Sequence, residues 1–174
     1  VKFDPEPVNV KDALERALES VKMLATDKKI FIDTRCPGDI YVLGVETRLV
    51  QVFWNLLTNG IKFTPPNGRI DVSCTSDDKF CYLSFKDTGE GISKDFLPHV
   101  FEKFRQEDQT TIRSKGGLGL GLALVCNLIR LHGGQVKVES EGKGKGTTFK
   151  VKLPITTAGA HKTNGHKTQL ECES

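Results

Sequence analysis

The chain has 174 residues, and its 25 Lys and Arg against 22 Asp and Glu leave a net charge of +3. A hydrophobic share of 37% supplies enough apolar surface for a core, which excludes a fully disordered chain. The mild charge argues against a broad basic patch that grips nucleic acid, and no apolar run reaches the roughly 18 to 20 residues of a membrane span.

The opening VKFDPEPVNV lacks the apolar region of a signal peptide. With Val1 first and the sole methionine, Met23, inside a predicted helix, the chain reads as a cut into a longer protein. Val10, Ala13, Leu14, Ala17, Leu18, Val21, Leu24 and Ala25 recur at helical spacing and predict an amphipathic helix over 10–29, with Asn9 as N-cap. Ile30–Thr34 and Ile40–Leu43 read as short strands around the turn Cys36-Pro37-Gly38-Asp39. A second helix over Glu46–Phe63 is stopped by Thr64-Pro65-Pro66-Asn67-Gly68.

Arg69–Thr75 and Phe80–Lys86 predict a hairpin about Asp77-Asp78. A two-residue turn there would oppose Ile70 to Phe85, Val72 to Leu83 and Cys74 to Cys81, all on one face. Ser93–Val100 suits a short helix, and the polar stretch 102–115 reads as a long loop. A third helix, Leu118–Leu131, is entered through glycines and ends at His132-Gly133-Gly134. Gln135–Ser140 and Thr147–Leu153 alternate as strands joined by EGKGKG, and 155–174 reads as a flexible tail or linker after a domain over 1–154. The five cysteines are odd in number and form no CxxC, which points to a reducing, cytoplasmic setting rather than a disulfide scaffold or zinc module. Cys74 and Cys81 read as small core residues.

Three features carry chemistry. Gln51, Asn55, Asn59 and Lys62 fall on one stripe of the second helix. Its carboxamide oxygens suit a hard cation such as Mg²⁺, and its ammonium suits phosphate. Taken alone, the stripe reads as a solvated face. Asp87-Thr88-Gly89-Glu90-Gly91-Ile92 follows a strand, where a carboxylate can accept from an exocyclic amine and glycines let backbone approach a flat ring. Nine of the 17 glycines lie between Gly116 and Gly146. Gly116-Gly117-Leu118-Gly119-Leu120-Gly121-Leu122 leads into a helix whose free N–H groups suit polyphosphate. It matches neither the dinucleotide fingerprint nor a P-loop.

Together and in this order, these segments resemble the catalytic and ATP-binding domain of sensor histidine kinases, in the Bergerat-fold ATPase superfamily. QVFWNLLTNGIKFT resembles the N box, DTGEGI the G1 box, Phe101-Glu102-Lys103-Phe104 the F box, GGLGLGLAL the G2 box and GKGTTFKVKLP the closing strand. The resemblance covers all but the tail. It implies an α/β two-layer sandwich, a mixed sheet of about five strands covered on one face by three helices.

It also implies that Asn59 ligates Mg²⁺ with Asn55 beside it, and that Lys62 contacts phosphate. Asp87 would accept from the adenine amino group, with Thr147 at the same edge. Gly89, Gly91 and Ile92 would line the adenine pocket, and Phe63 of the N box would belong to the nucleotide-binding set. Phe101 and Phe104 would anchor a lid over 105–116 that carries Arg113 toward the γ-phosphate. Gly117, Gly119 and Gly121 would wrap the phosphates, with Leu118 and Leu122 supplying backbone and packing, and Leu120 would belong to the same nucleotide-binding loop. Gly60 stands where Ala is usual, and Leu118 where Thr or Ser is frequent.

In hydrolysing relatives a Glu stands one helical turn before the metal Asn. Here that position is Asn55, which suits transfer of the γ-phosphoryl group to a positioned acceptor better than water attack. Lys62, Arg113 and Asn55 are therefore the candidate catalytic set. The resemblance places the acceptor histidine on a separate dimerisation domain, and a response regulator receiver downstream of it. FEKFRQEDQTT is most like hybrid kinases. None of His99, His132, His161 and His166 has the acceptor's context; the first two read as structural. No nucleic-acid or direct membrane contact is implied. Two alternatives stay open: a nucleotide-binding pseudokinase that acts as an interaction module, and a serine kinase or ATPase of the same superfamily.

Overall fold

The computed structural model describes residues 3–101 and 118–157, with backbone alone for 118–120. In chain order the elements are β1 (Glu6–Asn9), α1 (Val10–Lys28), β2 (Phe31–Arg35), β3 (Tyr41–Gly44), α2 (Glu46–Phe63), β4 (Arg69–Ser76), β5 (Phe80–Asp87), a 3₁₀ turn (Leu97–His99), α3 (Leu118–Leu131), β6 (Gln135–Glu139) and β7 (Thr147–Pro154). Five strands form a mixed sheet in the order β2-β4-β5-β7-β6, with β2 parallel to β4 and the other neighbours antiparallel. The three helices cover one face, so the expected two-layer α/β sandwich is what the chain forms. Among the described residues no helix is long and apolar enough to cross a membrane.

The core lies between the layers. Ile70, Val72, Cys74, Cys81, Leu83, Phe85, Phe149, Val151 and Leu153 point inward from alternate strand positions. They meet Leu14 and Val21 of α1, Phe53 and Leu57 of α2, and Leu122 and Ile129 of α3, all fully buried. Each such side chain contributes about 1.5–3 kcal/mol by leaving water. Helix ends are fixed by specific groups. Asn9 Oδ1 accepts from Asp12 N at 3.0 Å and starts α1. Lys28 Nζ donates to the carbonyls of Ile61 and Lys62, each at 2.8 Å, so α1 caps the far end of α2 with a cation.

Several expectations change. β2 joins β4, while β3 pairs with β1, a strand the pattern did not reveal. The β4–β5 hairpin sits two residues out of the expected register, with Ile70 opposite Asp87, Val72 opposite Phe85 and Cys74 opposite Leu83. The cause is Asp77, whose Oδ1 accepts from the N–H groups of Lys79 and Phe80, both at 2.8 Å, and whose Oδ2 accepts from Tyr82 Oη at 2.7 Å. This side-chain-closed turn spans 77–80 rather than two residues. A slip of two preserves the inward face, so the core set is unchanged. Cys74 and Cys81 become diagonal neighbours, with Sγ atoms 3.4 Å apart and both thiols free.

The short helix expected over 93–100 contracts to Leu97–His99. Pairing runs past the expected boundary at 154. Ile155 bridges Val42 and donates to Lys79 O at 2.9 Å, and Thr156 donates to Tyr41 O at 2.8 Å. The expected loop over 102–115 and the tail from 158 lie outside the described residues.

His132 is structural. Its Nδ1 lies 2.7 Å from Leu128 O and its Nε2 accepts from Val45 N at 3.2 Å, which requires the neutral ring with its proton on Nδ1. Burial lowers its pKa below 6.5. The unfolded chain therefore binds the extra proton first, and stability falls as pH drops below 6.5 toward the folded value. His132→Ala is expected to cost about 2–4 kcal/mol. It should also flatten this slope and leave nucleotide affinity at the wild-type value. Urea unfolding between pH 5 and 8, with a nucleotide titration, checks all three.

Candidate functional site

The site is built where α2 ends, β5 ends, β7 begins and α3 starts. Pro65 forces the preceding Thr64 out of the helical region, to φ −107° and ψ 124°, and this stops α2 beside the end of β5. Gly60 lets α2 lie close on the sheet, since a Cβ there would stand 2.9 Å from Ile70 Cδ1 of β4 and 3.9 Å from Asp87 Cβ of β5.

Asp87 is the centre of the arrangement. It is 8% exposed, and its Oδ1 accepts from Gly89 N at 2.9 Å and from Thr147 N at 3.1 Å. Both bonds fall on one oxygen, which leaves Oδ2 to accept from a ligand. Burial raises its pKa from 3.8 to about 6, against the lowering effect of the two N–H groups. Removing so polar a group from water costs stability, and the two N–H groups on Oδ1 offset only part of that cost.

The loop after Asp87 is held by backbone and by the β6–β7 connection. Glu90 N donates to Phe63 O at 2.9 Å, Gly144 N to Glu90 O at 2.6 Å and Gly146 N to Gly89 O at 3.1 Å. Ser140 Oγ accepts from Ile92 N at 3.0 Å and donates to Gly146 O at 2.7 Å. Gly91 and Gly146 have φ of +73° and +75°, and a Cβ on either would strike backbone, of Gly142 and Asp87 respectively. Glycine is therefore dictated twice over at both positions, by conformation and by space.

The second half of the site lies between α2 and α3. Asn59 is 7% exposed, and its Nδ2 has no hydrogen-bond partner among the described residues. One turn earlier, Asn55 Nδ2 donates to Gln51 O at 3.0 Å. A Cβ on Gly121 would lie 3.4 Å from Asn55 Oδ1, so α3 passes its first turn close to this carboxamide. Lys62 is exposed in the last turn of α2. α3 starts at Leu118, so the positive end of its dipole lies on the side of Asn55. Leu122 turns inward and is fully buried.

The structure thus brings Phe63, Asp87, Gly89 and Thr147 into direct contact, and Asn55 against Gly121. Gly91 and Ile92 are tied in through the β6–β7 connection. Phe101 sits against Phe149 of β7, ring centroids 6.1 Å apart. Phe104, Arg113 and Gly117 lie outside the described residues, as do the side chains of Leu118 and Leu120, and for Gly119 only the helical backbone is described. Sequence reasoning missed Ser140, Gly146 and Thr64. Gly146 had a signal in the glycine-rich connection; Ser140 had none, because its partner Ile92 lies 48 residues away, and Thr64 closed the N-box segment without a role assigned to it.

Residues 44–157 match the family described as histidine kinase-, DNA gyrase B-, and HSP90-like ATPase. The chain is 37% identical over 174 residues to hybrid signal transduction histidine kinase D of Dictyostelium discoideum, covering 82% of this chain and 11% of that protein. A mycobacterial sensor histidine kinase, MprB, superposes with a TM-score of 0.76 at 30% identity, covering 87% of this chain and 98% of that one. Full-length ShkA in complex with AMPPNP superposes with a TM-score of 0.75 at 31% identity, covering 91% of this chain and 32% of that one.

Proposed function

Because the chain belongs to the family of histidine kinase-, DNA gyrase B- and HSP90-like ATPases, we propose that it binds ATP with Mg²⁺ and passes the γ-phosphoryl group to a histidine on a separate dimerisation and phosphoacceptor domain of a two-component sensor kinase. The acceptor domain and a response regulator receiver domain are its partners on this reading, and the cytoplasm is its setting. The AMPPNP bound by ShkA supports the nucleotide assignment.

Asp87 Oδ2 takes the adenine amino group as acceptor, with Thr147 behind the same carboxylate. Gly89, Gly91 and Ile92 form one wall of that pocket, and Phe63 the end of α2 beside it. The residues at α2 fit a magnesium ion. Asn59 offers a carboxamide oxygen to a hard cation, and its unpartnered amide N–H groups meet a phosphate oxygen. When bound, the ion neutralises and orients the phosphates. Lys62 and Arg113 add positive charge, and the N–H groups of 117–121 cradle the phosphates without covalent chemistry.

One observation carries the choice of transfer over hydrolysis. Position 55 holds a carboxamide whose Nδ2 is occupied by the Gln51 carbonyl, so no general base stands one turn before Asn59. The isolated chain should then bind ATP and turn it over little. Mixing it with an acceptor-histidine domain and γ-labelled ATP is expected to give an acid-labile phosphohistidine on that domain. No transfer would sink the kinase reading, and rapid phosphate release by the chain alone would favour an ATPase.

A further inference from the structure

Among the described residues, two buried side-chain polar atoms have no hydrogen-bond partner: Asn59 Nδ2 and Thr64 Oγ1. The proposed metal and phosphate site accounts for Asn59. Thr64 has no such account. It is 0% exposed, and a hydroxyl taken out of water without a partner destabilises the fold. Native proteins retain such groups rarely, and each one calls for a specific explanation.

The surroundings of Thr64 say what it faces. A Cβ on Gly68 would strike the Thr64 methyl group, so Cγ2 lies on that side. A Cβ on Gly89 would stand 2.9 Å from Thr64 Oγ1 and 2.9 Å from Asp87 Oδ1. The hydroxyl and the carboxylate therefore flank the same glycine, beside the Phe63 carbonyl oxygen. Thr64 does not take the alternative open to a threonine at a helix end, a bond back to the preceding turn. Its donor is left over next to the one buried carboxylate of the site.

We propose that Thr64 is a positioning residue for Asp87: when an exocyclic amine engages Asp87 Oδ2, the Thr64 hydroxyl donates to the same carboxylate and holds it as an acceptor. The backbone N–H groups of Gly89 and Thr147 already donate to Oδ1. A third donor completes a carboxylate that favours an amino group over a carbonyl at the purine 6-position. This inference rests on the reading of Asp87 as the adenine acceptor.

The test is a calorimetric titration of the full 174-residue chain with ATP and with purine riboside 5′-triphosphate, which lacks the 6-amino group. Thr64→Val keeps the shape and removes the hydroxyl. It is expected to melt at or above the wild-type temperature and to bind ATP about tenfold more weakly, the loss of one hydrogen bond to a charged group. Affinity for the analogue should be unchanged, and Thr64→Ser should restore ATP binding. Thr64→Ala gives the same comparison should the valine variant not fold. Wild-type ATP affinity in the valine and alanine variants, or an equal loss for both ligands, would overturn the proposal. A wild-type chain that does not prefer ATP over the analogue removes the Asp87 reading itself, and the role of Thr64 with it.

Discussion

Asp87→Asn is expected to weaken ATP binding by about 100-fold or more, some 3 kcal/mol, while leaving the empty protein at least as stable as before. The two effects separate because the two carboxylate oxygens have different duties. Oδ1 accepts from Gly89 N and Thr147 N, and an asparagine oxygen keeps both bonds. Oδ2 becomes an NH₂ group, which meets the adenine amino group donor to donor. The folded protein, meanwhile, loses a charge that it holds at a cost.

The rise of the Asp87 pKa from 3.8 to about 6 corresponds to roughly 3 kcal/mol at most. The direction follows from proton counts. Between pH 3.8 and about 6 the folded state binds more protons than the unfolded chain, so this group lowers stability as pH rises through that window. Below 3.8 the variant and the wild type should match in this respect; above about 6 the full gain should appear. Urea unfolding at pH 4 and pH 7.5, with calorimetry at the higher pH, checks both halves. A variant that loses stability and affinity together would make Asp87 a structural residue.

The position of Asp87 was legible in the sequence because its neighbours narrow its surroundings. A carboxylate at a strand end followed by Gly89 and Gly91 has few structural uses, and the stripe of Asn55, Asn59 and Lys62 follows directly from helical spacing. The helices were legible for the same reason, since α1, α2 and α3 each carry an apolar face over more than three turns. The strand register was not. Two extended segments tolerate any even slip without exposing the core, and the choice was made by the hydrogen bonds of Asp77 to Lys79, Phe80 and Tyr82. β1 was not legible because Glu6–Asn9 is short, contains Pro7 and finds its partner in β3, more than 30 residues away. Ser140 accepts from Ile92 N across 48 residues, a distance over which local pattern carries no information.

Asn59→Ala is expected to abolish the magnesium dependence of nucleotide binding and to weaken ATP affinity by about 100-fold in the presence of the ion, while changing the stability of the empty protein by less than about 1 kcal/mol. Asn59 is buried, and truncating a buried side chain ordinarily leaves a cavity that costs stability. Its Nδ2, however, has no partner among the described residues, so the substitution also removes a desolvated donor, and the two effects oppose each other. Asn55→Ala should behave differently, because Asn55 Nδ2 is bonded to the Gln51 carbonyl within the same helix and its loss disturbs contact with Gly121 before it touches a ligand. Asn59→Asp separates metal binding from shape. A carboxylate keeps an oxygen for the cation, so metal-dependent binding should persist. The empty protein should lose stability at neutral pH, because the new charge is buried without a partner. The measurement is a set of ATP titrations with magnesium and with EDTA, beside thermal melts of each variant without nucleotide. Magnesium dependence that survives in the alanine variant would remove Asn59 from the metal and leave its unpartnered amide to phosphate alone.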